Sequence, residues 1–124
     1  MRGSVKIVLG GKEKSLRPAF DAYDQIEERL GPLRQVYTSV VTGTATLQAM
    51  AHVVYVGMSQ IDDQLIDART GTNITEEAIA QRLYDAGPWS DDVIGPISDF
   101  VAALGWTPDQ RKKIAAEVEK QEAL

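Results

Sequence analysis

Apolar positions change their period twice along the chain, and the changes mark the elements. Val5, Ile7 and Leu9 alternate with Lys6 and Val8, the period of a short strand. Gly10-Gly11 follows, a pair that tolerates the positive φ of a tight hairpin turn. A return strand is expected over about Lys12 to Leu16, polar and stable only when packed on helices. From Pro18 onward the period becomes helical. Pro18 suits a first helical position, and Ala19, Ala22, Tyr23, Ile26 and Leu30 recur on one face until Gly31. Pro32 opens a second helix with Leu33, Val36, Tyr37, Val40 and Val41 at i, i+3, i+4, i+7 and i+8, ended by Gly43.

Thr44 is the expected N-cap of a third helix, with Leu47, Met50, Ala51, Val54, Met58 and Ile61 on one stripe. Val53 and Tyr55 widen that stripe, which predicts a central helix. Residues 67–73 read as a loop. Thr75 caps a fourth helix, with Glu76 and Glu77 in its first turn and Ile74 and Ile79 spaced as a hydrophobic staple. Gly87-Pro88 ends it. Ser90 caps a fifth helix carrying Ile94, Ile97, Val101 and Leu104, with a second staple expected from Trp89 to Ile94. Gly95-Pro96 is expected in or near its first turn, where proline costs little. Gly105 ends it, and Thr107-Pro108-Asp109-Gln110 is a capping box for a charged last helix over about 108–122, with Ile114, Ala115 and Val118 as a thin stripe.

The pattern therefore predicts a mostly α fold: a small bundle of about five to six helices with a short N-terminal β-hairpin. It forms a single domain over 1–124, with the hairpin in 1–17, the helical body in 18–105 and the charged helix in 106–124. The length of 124 residues fits one domain, and 44% hydrophobic with 25% charged residues is an ordinary globular balance. No cysteine occurs, which excludes disulfides, thiolate metal sites and a cysteine nucleophile. No apolar run is long enough to span a membrane, and no secretory leader is expected.

Charge adds an asymmetry to this picture. Arg2, Lys6, Lys12, Lys14 and Arg17 face only Glu13 in the first 18 residues, while the whole chain carries −5. The acidic remainder argues against nucleic-acid binding, and the basic start reads as a hairpin edge protected by lysines. The basic hairpin is accordingly expected to be dispensable for folding of the helical body.

Candidate chemistry is sparse. His52 is the sole histidine and has no second metal ligand at i±3 or i±4, so a packed histidine is expected. Asp62, Asp63 and Asp67 lack the spacing of a calcium loop and read as a solvated face. Gly10-Gly11-Lys12 leads into a strand rather than a helix and is not a phosphate loop. Ser39, Ser59 and Ser98 lack a nucleophile-elbow setting. No catalytic residue, metal or cofactor is expected, and the acidic first turns argue against a DNA-reading helix.

One stretch carries a resemblance. Gly11-Lys12-Glu13-Lys14-Ser15-Leu16-Arg17-Pro18-Ala19-Phe20, continuing to Ile26-Glu27-Glu28-Arg29-Leu30-Gly31, resembles a G-G-x-x-x-x-L-R-P-[ST]-F … L-E-x-x-L-G pattern. That pattern belongs to the tail assembly chaperone, or tail tube-associated, family of gene transfer agents and related siphophages. Thr75-Glu76-Glu77-Ala78-Ile79 and Ala86-Gly87 are similar to its later acidic-capped helix. Ala19 departs from Ser or Thr, 60–73 is longer than the pattern, and nothing beyond residue 90 matches.

The motif residues Leu16, Arg17, Pro18, Phe20, Glu27, Leu30 and Gly31 read as structural, with Leu16, Phe20, Ile26 and Leu30 expected in the core. The resemblance implies an assembly factor in the bacterial cytoplasm. It would bind the tape-measure protein, and in addition the tail tube protein. The alternatives are a structural component retained in the tail and a small DNA-binding regulator. A client-binding strip is expected from Tyr37, Val41, Met50, Tyr55 and Met58, serving self-association when no client is present.

Overall fold

The computed structural model describes residues 3–67, 70–107, 109–110 and 112–113. Its elements are β1 (Val5–Leu9), β2 (Lys12–Leu16), α1 (Phe20–Leu30), α2 (Leu33–Val41), α3 (Leu47–Ser59), α4 (Glu76–Ala86) and α5 (Asp91–Gly105). The mostly α bundle with its N-terminal hairpin is thus the observed fold. The strands pair antiparallel in the register Val5↔Leu16 through Leu9↔Lys12. Gly10 and Gly11 join them at φ +58° and +77°, two successive positive values that suit glycine.

α3 is the axis of the molecule. Met50, Ala51, His52, Val53, Val54, Val56, Gly57 and Met58 are all buried, because α1, α4, α5 and β2 pack around this helix. A helix apolar on nearly every side is stable only when surrounded. α2 lies chiefly against α5, and β1 lies against α5 and α4. Ile7, Leu9 and Leu16 are buried in the same core as Ile26, Ile79, Leu83, Ile97 and Phe100. The hairpin is therefore a wall of the core, contrary to the expectation that it is dispensable. The alternation Ile7-Val8-Leu9 turns two of its three side chains inward.

Several boundaries differ from the sequence reading. Pro18 is buried but lies outside α1, which starts at Phe20 with Ala19 extended at its N-cap. Phe20 is not core: it is 83% exposed. The buried face of α1 is fixed by Ala22 and Ile26, and at 100° per residue Phe20 stands roughly 120° away from Ile26. Thr46, not Thr44, caps α3, accepting from the Ala49 N–H. The Thr44 N–H instead closes α2 on the Ser39 carbonyl. α3 also ends at Ser59, leaving Ile61 in the following turn.

α5 starts at Asp91 and runs through Pro96, so the proline sits in its second turn and removes one backbone bond. Burial of Val93, Ile97, Phe100, Val101 and Leu104 outweighs that loss. Trp89 is 81% exposed and makes no staple, and the Ser90 hydroxyl does not cap. Thr75 does cap α4, through the Ala78 N–H, and Ile74 and Ile79 are both buried. Thr107 and Gln110 exchange the two bonds of a capping box. The helix expected beyond it lies for the most part outside the described residues. No helix among the described residues is long and apolar enough to cross a membrane.

Candidate functional site

Three aromatic side chains converge where α1, α2 and the end of α5 meet. Tyr23, Leu33, Arg34, Tyr37, Val101 and Trp106 line a cleft of about 140 Å³. Tyr37 and Trp106 fix its floor edge-to-face, with ring centroids 5.2 Å apart at 79°. Tyr37 is set by α2, whose first turn is anchored from α1: the Glu27 carboxylate accepts from the Leu33 N–H at 2.9 Å. Gly31, at φ +93°, makes the bend between the two helices. Trp106 follows α5 directly, its N–H bonded to the Ala102 carbonyl at 2.8 Å. Phe20 lies one turn before Tyr23 on α1, outside the lining of the cleft and 83% exposed.

The size of the cleft limits its use. Sites for small molecules and cofactors run from roughly 300 to 1,000 Å³, whereas 140 Å³ takes about one large side chain. A second hollow of about 270 Å³, between α2 and the start of α3, mixes Leu30, Val36, Val40 and Val53 with Gln35, Ser39, Thr44 and Thr46.

The proposed strip is not brought together. Tyr37 is half-buried in the cleft, and Val41, at the last position of α2, is 49% exposed. Met50 and Met58 are core residues, and Tyr55 is half-buried against that core. The two methionines point inward because α3 is enclosed, so they offer no surface to a partner. Among the described residues the exposed large apolar side chains are instead Val8, Phe20, Val41, Ile66, Tyr84 and Trp89.

The sequence reading missed a polar cluster. Arg29 of α1, His52 of α3 and Glu76 of α4 meet although 47 residues separate the first from the last. Arg29 Nη1 donates to both Glu76 oxygens, at 2.9 and 3.1 Å, and His52 Nδ1 lies 2.9 Å from Glu76 Oε1. Arg29 Nη1 also lies 3.0 Å from His52 Nδ1, so the imidazole nitrogen sits between the guanidinium and the carboxylate. His52 Nε2 is buried without a hydrogen-bond partner among the described residues. Burial alone would raise the Glu76 carboxyl, but the hydrogen bonds from His52 and Arg29 outweigh it and hold the group below its ordinary value of 4.5. The cluster ties three helices together. The one signal in the sequence was Glu76 in an acidic first turn; nothing local pairs it with His52.

Asp63 stands in a turn at φ +70° rather than on a helix face, and Asp67 approaches Arg82 at 3.8 Å. Among the described residues no group of three or more His, Cys, Asp or Glu is placed to hold a metal ion. Comparison with family models, characterised proteins and solved structures finds no match to this chain.

Proposed function

We propose that this chain binds another protein through the aromatic cleft and Phe20, acting as a tail assembly chaperone that holds a helical tape-measure protein during assembly. The observation that carries the reading is the exposure of Phe20. Most residues of the 16–31 motif have a structural task. Leu16 and Pro18 are buried, Glu27 anchors α2, Leu30 packs on the core, and Gly31 makes a bend. The Phe20 side chain has no such task, standing 83% exposed beside the turn that carries Tyr23.

A large aromatic in water is unfavourable unless something covers it. Burying a phenylalanine contributes about 1.5–3 kcal/mol, enough for an anchor in an interface. A helical client suits the dimensions. Its side chains recur one turn apart, so one can enter the cleft while its neighbour covers Phe20. The experiment is co-expression with the tape-measure protein. Phe20→Asp and Trp106→Ala should leave the domain folded and shift the client to the insoluble fraction. A client that stays soluble with both folded variants overturns the reading.

A further inference from the structure

We infer that the outer edge of β1 pairs with β1 of a second copy, forming a four-stranded sheet in the order β2–β1–β1–β2 across a two-fold axis. This inference is independent of the chaperone reading. The edge follows from the hairpin geometry. A two-residue turn with positive φ at Gly10 and Gly11 makes Leu9↔Lys12 a hydrogen-bonded pair, and bonded pairs alternate with non-bonded ones. The Lys6↔Ser15 and Val8↔Glu13 pairs are then non-bonded, and their backbone groups point away from the partner strand. Ser15 agrees, because its N–H donates outward to Gln64 Oε1 at 2.9 Å.

The two edges are treated differently. On the β2 side the Ser15 N–H is taken by Gln64, and just past the strand the Arg17 N–H donates to the Gly57 carbonyl at 3.1 Å. On β1, the outward N–H and C=O groups of Lys6 and Val8 meet no partner among the described residues. A lysine usually defends such an edge by projecting over it. Here Lys6 is drawn back onto its own hairpin, with Nζ donating to Ser15 Oγ at 2.6 Å and lying 4.0 Å from Glu13. Val8, 57% exposed, stands beside it.

Self-complementarity identifies the occupant. In an antiparallel register centred on Ile7, Lys6 of one copy faces Val8 of the other, so the outward donors and acceptors of both residues match. No lysine lies directly opposite a lysine, and Glu13 neutralises each Lys6. On the inner face Ile7 stands across from Ile7 and Val5 from Leu9; Ile7 and Leu9 are already covered within their own copy, so the pairing rests on the backbone bonds.

The test is solution mass by light scattering from micromolar to millimolar chain, with amide exchange at Lys6 and Val8. The expected result is a dimer, with both amides slowing as concentration rises. Val8→Pro removes an outward N–H that the hairpin does not use and should halve the mass while helicity is kept. A monomer throughout, or a Val8→Pro dimer, overturns the inference. Should Val8→Pro fail to fold, exchange in the unaltered chain decides: concentration-independent rates overturn it. Protection that appears only when a different protein is added assigns the edge to a foreign strand and equally overturns self-pairing.

Discussion

Gly57 of α3 lies so close to Phe100 of α5 that a Cβ at position 57 would stand 2.9 Å from Phe100 Cζ, and 3.0 Å from Leu16 Cβ on the other side. The hydrogen in place of a side chain is what lets α5 and β2 approach α3 together. The Gly57 carbonyl is used as well, accepting from Arg17 as the hairpin ends.

Gly57→Ala is therefore expected to destabilise the protein despite alanine's better helix propensity. The propensity gain is about 1 kcal/mol, and overpacking a closed core costs about 1–3 kcal/mol. The Phe100 ring is fully buried. A denaturant midpoint equal to or above that of the unaltered chain would show that the ring can yield.

The hairpin is expected to be needed for cooperative folding. Removing residues 1–14 uncovers the core against which Ile7 and Leu9 are buried, and it leaves Leu16 without its strand. Leu16→Ala alone should cost about 2–5 kcal/mol. Thermal melts read by circular dichroism check both, and a sharp transition in the truncated chain would contradict the expectation.

How far the sequence disclosed this fold depends on the range of the interaction concerned. Strands, turns and the Thr75 cap rest on neighbours within a few residues, and they are where the pattern places them. The enclosure of α3 was legible because Val53 and Tyr55 widen its stripe. Phe20 was misread because residue type suggests burial, whereas its angle on α1 places it outside. Met50 and Met58 were misread in the opposite sense, since a methionine on a fully surrounded helix is packing. The cleft and the Arg29–His52–Glu76 cluster depend on which helices become neighbours, and no local spacing encodes that.

Glu76 gives a pH dependence of definite sign. A carboxyl held below its unfolded value contributes stability that is present above that value, near 4.5. The contribution is lost as pH falls through the lower value of the folded state. Stability should therefore decline in acid below pH 4.5 partly through this group, and Glu76→Gln should flatten that decline while lowering stability at neutral pH. Arg29 is half-exposed, so solvent screening keeps the effect modest. Urea midpoints across the acid range measure it, and parallel curves for the two proteins would exclude Glu76 as a source.

Phe20 and Ile26 offer the clearest separation of binding from folding, since they share α1 and the same motif. Ile26 is fully buried, and Ile26→Ala should cost about 2–5 kcal/mol because the enclosed site collapses poorly around the smaller side chain. Phe20 is 83% exposed at the first position of the helix, so Phe20→Ala removes little packing and should change stability by no more than about 0.5 kcal/mol. If Phe20 anchors a client, the same substitution reduces client solubility on co-expression, whereas Ile26→Ala acts only as far as it unfolds the domain. A Phe20→Ala protein that melts several degrees lower would place the ring against the fold. One that melts unchanged and still keeps the client soluble would remove Phe20 from the binding surface.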